Sequence, residues 1–457
     1  MKKYNVVIVG GGSHRNPDLM AMLADNKDRF PIRRICLYDT ESERQEIMGK
    51  YGEILMREYY PELEEFAYTT DPDVAFKDVD FALMQIRAGR LPMREKDEKI
   101  SLSHGCVGQE TCGAGGFAYG LRSVPDIIEL VKMIRKHSPE AWILNYSNPA
   151  AIVAEATKRV FPDDHRILNI CDMPIAIMDQ YANILKCSRK DFEPRYFGLN
   201  HFGWFTHIYD KKTGEDLEPK IKELILSGED LFKLSGVDEH TMEPSWIETY
   251  KFMANILRDY PEYLPNTYLK YYLYPKHVVE TSNPNYTRAN EVMDGKEKRC
   301  YEMMEEVIKL GKLKGTEYEI KPGRGVHASY IVDLAGAIIN NTNEIFLIIT
   351  KNKGVIPNVD ENMMVEVACR VGANGVEPLA LDPIPTFYKG MMENQYAYEK
   401  LTVDGLFERD KTKLLQALAL NRTVTDTDTA KAILDDLIEA NKDYWGKYFK
   451  PELFMKR

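Results

Sequence analysis

"VVIVGGGSHRNPDLMAML" (residues 6–23) runs from four apolar β-branched residues, through three glycines, into a segment with apolar residues at helical spacing. A strand that ends in a Gly-rich turn and opens a helix is the first unit of a dinucleotide-binding fold. Gly10 suits the tight turn and Gly12 the close approach of backbone to a pyrophosphate, while the N-terminus of the following helix offers N–H groups to the anion. The third position of the G-x-G-x-x-G fingerprint is Arg15, so the motif is incomplete, and an ordinary βα loop satisfies the same pattern. Asp39, at the end of the next predicted strand, favours the dinucleotide, because a carboxylate there suits the ribose hydroxyls of NAD.

Outward from this unit, "NVVIV" (5–9), "RICLYD" (34–39), "DFALMQI" (80–86), "AWILNY" (141–146) and "RILNIC" (166–171) read as strands. Between them "DIIELVKMIRKHS" (126–138) and "PAAIVAEATKRV" (149–160) carry apolar residues at helical spacing. Strands alternating with helices predict a Rossmann-like, doubly wound parallel sheet with its ligands beyond the carboxyl ends of the strands. A second region begins near residue 195 with "RYFGLNHFGWFTHIYD" (195–210), which reads as long strands around a turn. An acidic stretch, a Tyr- and Asn-rich segment, mixed helix and strand, and a helical tail from Lys400 follow. The expected fold is α/β: a dinucleotide-binding domain over residues 1–194 and a C-terminal mixed α+β domain over residues 195–457.

A chain of 457 residues exceeds the size at which one core stops growing. Its net charge of −11, spread along the chain, argues against nucleic acid or an anionic membrane as partner, so an anionic substrate must be held by a few local arginines. Nothing approaches about 18 consecutive apolar residues, and the apolar N-terminal run is too short for a signal peptide. Seven cysteines with no CxxC pair fit a reducing compartment, and the protein is expected to be soluble and cytoplasmic.

Several constellations lie where ligands are expected. "GCVGQETCGAGGFAYGLRS" (105–123) reads as a Gly-rich loop before a helix, either a lid or a long connection. Arg87, Arg90 and Arg94 follow the strand "DFALMQI" and suit a phosphate, although surface arginines are usually only solvated. "NYSNP" places Asn145 and Asn148 at the same edge as "CDMP", where Asn-Pro also marks plain turns. In "CDMP", Cys171 is by default a small buried hydrophobe and Asp172 a cap for the helix that Pro174 opens. His201 in "GLNHFGW" is a candidate partner for Cys171. Two such ligands do not make a structural zinc site, but they suit an open site completed by substrate oxygens and water. Among the tyrosines of residues 264–292, one acting as a base needs nearby positive charge, since a phenol is otherwise protonated at pH 7.

Taken in order, "VGGGS", "TTDPDVAFKDVDF", "GQETCGAGG", "LNYSNPAAIVAEAT", "NICDMP", "GLNHFGW", "LPNTYL" and "SNPNYTRANEV" resemble glycoside hydrolase family 4 over nearly the whole chain. The resemblance implies a fold like the lactate and malate dehydrogenases, NAD as cofactor and a divalent metal, with Mn2+ favoured. It makes Cys171 and His201 the metal ligands, Asp172 the proton donor to the leaving group, and Tyr268 the base whose basicity Glu110 raises. Gly10, Gly12, Ser13, Asp39 and Asn148 then hold NAD, and Arg94, Asn148 and Arg288 the phosphorylated sugar.

The Cys-Asp-Met-Pro form resembles the 6-phospho-α-glucosidases of that family, where relatives acting on β-linkages carry Cys-Asn-Val-Pro. The implied reaction is hydrolysis of 6-phospho-α-D-glucosides, such as maltose 6'-phosphate, to glucose 6-phosphate by oxidation at C3, elimination, addition of water and reduction. A homodimer or homotetramer is expected. The alternatives are a 6-phospho-β-glucosidase, an NAD-dependent 2-hydroxy acid dehydrogenase, which has no need of Cys171, His201 and Tyr268, and an NAD-sensing binding protein, which has no need of an acid and a base.

Overall fold

The computed structural model describes residues 2–238, 242–321 and 325–446. The run 6–9 forms most of β1 (Tyr4–Val9), and its side chains alternate between two apolar layers: Val6 and Ile8 enter one core, Val7 and Val9 the other. A strand buried on both faces is central in a sheet, and each such side chain contributes about 1.5–3 kcal/mol through burial. Around it lie β2 (Ile32–Tyr38), β3 (Glu65–Thr69), β4 (Phe81–Met84), β5 (Trp142–Asn145) and β6 (Ile167–Asn169). All pair in parallel in the order 3-2-1-4-5-6. This is the dinucleotide-binding order, in which the direction of winding reverses beside β1 and opens a crevice at the carboxyl ends.

The C-terminal half supplies the expected mixture of helix and sheet. β7 (Phe192–Leu199), β8 (Phe202–Asp210) and β9 (Leu264–Pro265) form a separate antiparallel sheet. β10 (Glu344–Lys351), β11 (Met364–Gly372) and β12 (Gly375–Pro378) continue the main sheet antiparallel from β6. Helices Thr386–Glu408, Lys411–Leu420 and Thr427–Ala440 cover the layer that holds Val7 and Val9, through Leu406, Leu414, Ile433 and Leu437. Among the described residues, no helix is long and apolar enough to cross a membrane.

Three local expectations are corrected. β3 is a strand that sequence reading passed over: "EFAYT" is an edge strand with no fully buried residue, so it carries no apolar run. β6 ends at Asn169, which puts Cys171 and Asp172 beyond the strand in the turn to the helix Met173–Leu185. The predicted Gly-rich loop becomes helix at Gly113 and stays helical to His137. Its glycines serve close packing: a Cβ on Gly115 would lie 2.2 Å from the carbonyl oxygen of Gln109, and one on Gly116 2.2 Å from that of Thr111.

Candidate active site

Beyond the carboxyl ends of β1, β4, β5 and β6 opens a cavity of about 1260 Å³. Of the site residues singled out in the sequence, all but Cys171 and Asn145 line it: Cys171 lies behind, and Asn145, fully buried at the end of β5, donates to Asn169 Oδ1 at 2.7 Å instead.

At one end the Gly-rich turn is drawn tight. Gly10 has φ +93°, and a Cβ there would lie 2.5 Å from the carbonyl oxygen of Gln85, so only glycine fits. The Asn16 side chain, fully buried, donates to the carbonyl oxygens of Gly10 (3.0 Å) and Gly11 (2.6 Å). The Asp39 carboxylate closes the turn from β2, accepting from the Gly12 N–H at 2.8 Å. A strand–glycine–helix turn with an acid at the second strand fits a dinucleotide.

Across the cavity, Cys171 Sγ and His201 Nε2 are 3.2 Å apart and both residues are buried. His201 sits in the two-residue turn between β7 and β8 with φ +62°, and its ring meets Cys171 just past the end of β6. The Thr111 hydroxyl donates to Gln109 Oε1 at 3.0 Å, and its oxygen lies 3.0 Å from His201 Nδ1. With its hydrogen engaged, that oxygen accepts from Nδ1–H, which leaves the Nε2 lone pair facing Cys171. Burial lowers His201 to about 4, keeping it neutral, and pushes the Cys171 thiol well above its usual range. A cation held here must therefore displace the thiol proton. A neutral imidazole and a thiol facing one point fit a divalent transition metal. Among the described residues no group of three or more His, Cys, Asp and Glu could hold a metal, so the remaining ligands of such an ion would come from other groups. Asn148, whose peptide bond to Pro149 is cis, lines the same cavity with its Oδ1 buried and without a hydrogen-bond partner.

Asp172 stands at the N-cap of the helix Met173–Leu185 but makes no side-chain capping bond. Its backbone is helical (φ −85°, ψ −9°), where a cap needs extended geometry, and its carboxylate faces Arg15 Nη1 at 3.6 Å.

Glu110 is gripped by Arg87 Nη2 (2.6 Å) and Arg94 Nη1 (3.0 Å). Burial pushes its carboxyl up, but the two guanidinium groups prevail and hold it well below the usual carboxylate range. Arg94 is also bound through Nε to Glu98 at 2.7 Å, and Glu98 Oε2 accepts from the Ala289 N–H at 2.9 Å. That carboxylate brings the short helix Arg288–Glu291, and with it Arg288, to the Arg94 side of the cavity. Arg90 is paired with Glu41 at 2.5 Å, so each of the three arginines read as a phosphate cluster already has an acidic partner.

Tyr268 completes the wall. Its ring meets His201 edge-on with centroids 4.6 Å apart and stacks against Trp246 at 5.9 Å. Burial drives its hydroxyl well above 10, and Tyr271 and Glu110 add to the rise. As a base it needs positive charge brought to it.

Family sequence models match the two parts of the chain: Family 4 glycosyl hydrolase over residues 5–187, and Family 4 glycosyl hydrolase C-terminal domain over residues 196–424. The chain belongs to glycosyl hydrolase family 4. It is 66% identical over 447 residues to the Phospho-alpha-glucosidase PagL of Clostridium acetobutylicum, covering 98% of this chain and 100% of that one. It is also similar to a 6-phospho-alpha-glucosidase from gut microorganisms solved in complex with NAD and Mn2+ (TM-score 0.91, 49% identity, 97% of this chain and 99% of that one). A second such enzyme, solved with NAD and glucose-6-phosphate, matches with TM-score 0.92 and 41% identity over the same shares, 97% and 99%. The family expected from the motifs is borne out.

Within this family 4 site, sequence reasoning passed over Arg15, Thr111 and Gln109 as functional residues. Gln109 and Thr111 lay inside the quoted "GQETCGAGG" without a role, because orienting a histidine 90 residues away leaves no local pattern. It also passed over Glu366, a carboxyl alone in the apolar strand β11, whose signal was visible: burial without a cation raises it to about 8.

Proposed function

We propose that this protein hydrolyses 6-phospho-α-D-glucosides, such as maltose 6'-phosphate, to glucose 6-phosphate and the aglycone, using NAD and a divalent metal, with Mn2+ favoured. The observation that carries the reading is one cavity that joins a dinucleotide turn, His201 with the buried Cys171 directly behind it, and Tyr268 packed on that histidine. The names and bound groups of the similar enzymes support it. When bound, the nicotinamide takes and returns a hydride, and the ion serves as a Lewis acid on sugar oxygens.

The chain's own residues do the rest. Gly10, Gly12, Ser13 and Asp39 hold the dinucleotide, with Asn148 reaching both it and the sugar. Arg94 and Arg288 bind the phosphorylated sugar, and Cys171 and His201 hold the ion. Tyr268 takes the proton from C2, and Glu110, fixed as an anion by Arg87 and Arg94, raises the proton affinity of that phenol. Asp172 protonates the departing oxygen at C1. Residues 1–194 carry the dinucleotide turn and residues 195–457 supply His201, Tyr268 and Arg288. A cytoplasmic dimer or tetramer completes the proposal, since doubly wound dehydrogenase-like architectures commonly associate; light scattering on the purified chain reads the copy number.

The test is one assay with chromogenic α- and β-glucoside 6-phosphates and their unphosphorylated counterparts, with NAD and Mn2+ added or withheld. Turnover of the phosphorylated α-glucoside alone, dependent on both additions, is expected. Full turnover after both are stripped, or equal turnover of the β-glucoside, overturns the reading.

A further inference from the structure

Behind the Cys171–His201 pair, on the side away from the cavity, a carboxyl sits inside the sheet. Glu366 lies on β11 between Val365 and Val367 and is fully buried. Its neighbours are neutral: Oε1 accepts from Asn200 Nδ2 at 3.3 Å, and the Tyr196 hydroxyl bears on the same carboxyl. Asn200 occupies the β7–β8 turn beside His201, and its amide bears on the thiol of Cys171 and favours its ionised form. On the other flank, Tyr196 Oη accepts from Asn266 Nδ2 at 3.2 Å, and Asn266 Oδ1 accepts from the backbone N–H of Tyr268 at 3.0 Å. A buried polar chain thus runs from Cys171 through Asn200, Glu366, Tyr196 and Asn266 to Tyr268. None of the four intermediate residues lines the cavity.

Packing alone does not account for it. A carboxyl buried without a cation is costly, and an apolar side chain between two valines fills the same place without that cost. What the carboxyl adds is direction. An Asn amide presents two N–H hydrogens at one end and an acceptor at the other. With Glu366 accepting at Nδ2, the donor end of Asn200 is turned toward Cys171; with the amide reversed, its oxygen would face a sulfur that, once a cation has displaced its proton, can only accept.

We propose that Glu366, acting through Asn200, is a positioning residue that presents Cys171 and His201 together to a divalent cation, and through Tyr196 and Asn266 ties the turn bearing Tyr268 to the same anchor. The proposal rests on the reading of Cys171 and His201 as metal ligands. Partners of this kind, one step behind the ligands, are worth about 10- to 100-fold in metal affinity.

The full chain and its Glu366→Leu, Glu366→Gln, Asn200→Ala and Cys171→Ser variants are titrated with Mn2+, reading the electron paramagnetic resonance of the free ion. NAD binding by fluorescence and a thermal melt accompany each titration. Glu366→Leu and Asn200→Ala are expected to weaken Mn2+ binding by about 10-fold or more, with NAD binding unchanged and excess Mn2+ recovering activity. Glu366→Gln, which keeps an acceptor for Asn200, retains most of the affinity. Parental affinity in folded Glu366→Leu overturns the proposal; where that variant does not fold, parental affinity in Asn200→Ala does so. Mn2+ binding that survives Cys171→Ser overturns the metal reading and this proposal with it, whereas binding lost in Cys171→Ser but intact in Glu366→Leu overturns this proposal alone.

Discussion

Arg15 Nη1 lies 3.6 Å from Asp172 Oδ2, so the residue in the third fingerprint position carries its charge from the Gly-rich turn of β1 to the end of β6. A glycine there would favour close helix–strand packing and leave the carboxylate without this cation. The side chains are 45% and 29% exposed, so water screens the pair and it adds little stability. Its consequence is directional: Asp172 is turned away from its own helix and toward the dinucleotide end of the cavity.

Asp172→Asn tests the acid assigned to that position. A general acid typically contributes about 10²- to 10⁴-fold, and the contribution shrinks when the departing group needs no proton. The variant is expected to lose kcat on an alkyl α-glucoside 6-phosphate by that range and to keep far more of it on the nitrophenyl substrate. Equal losses on the two substrates count against Asp172 as the proton donor.

Thr111→Val removes the oxygen that accepts from His201 Nδ1–H and leaves the shape of the side chain nearly unchanged. Without it the imidazole loses the bond that fixes its tautomer, and Mn2+ affinity is expected to fall by about 10-fold or more. Thr111→Ser, which restores the hydroxyl, recovers it. Mn2+ titration of both variants reads this directly, and unchanged affinity in Thr111→Val removes Thr111 from the site.

The doubly wound sheet was legible because its strands are buried on both faces and so appear as apolar runs; β3, half-covered at the edge, leaves no such run. Cys171, Asp172, His201 and Tyr268 were legible through short peptides of unusual composition in fixed order. What holds them was not: Thr111 reaches His201 across 90 residues, and Asn200 reaches Glu366 across 166. Such contacts depend on how separate elements stack, which no local periodicity encodes. The glycines of residues 105–123 misled for a related reason, since the glycine that frees a loop is the same residue that lets a helix pack against backbone.

Glu399, on the helix Thr386–Glu408, gives a pH dependence away from the site. It is 2% exposed, accepts from Gln395 Nε2 at 2.8 Å, and burial raises it to about 8. In the unfolded chain a glutamate titrates near about 4.3. Between those values the folded state holds a proton that the unfolded state has released, so stability is full below the lower value and falls as pH rises toward the upper. Glu399→Gln removes that slope. The urea midpoint of the variant relative to the parent is expected to rise steadily from pH 5 to pH 8.5, with activity unaffected; a constant difference across that range contradicts the assignment.

Gly116→Ala asks whether the Gly113–His137 helix sets the site from beneath. The added Cβ would lie 2.2 Å from the carbonyl oxygen of Thr111, a backbone atom that moves only if the 109–112 segment moves. That segment carries Glu110 between its arginines and Thr111 against His201, so a shift there reaches both the anion and the imidazole. Overpacking of this kind costs about 1–3 kcal/mol, a loss the protein should survive at 25 °C. The variant is expected to stay folded, to melt at a lower temperature and to lose both kcat and Mn2+ affinity. Gly105→Ala, where a Cβ meets nothing within 4 Å and only the φ of +68° is strained, should lower stability without that loss of metal. Equal effects of the two substitutions on Mn2+ binding would show that the helix does not position the site.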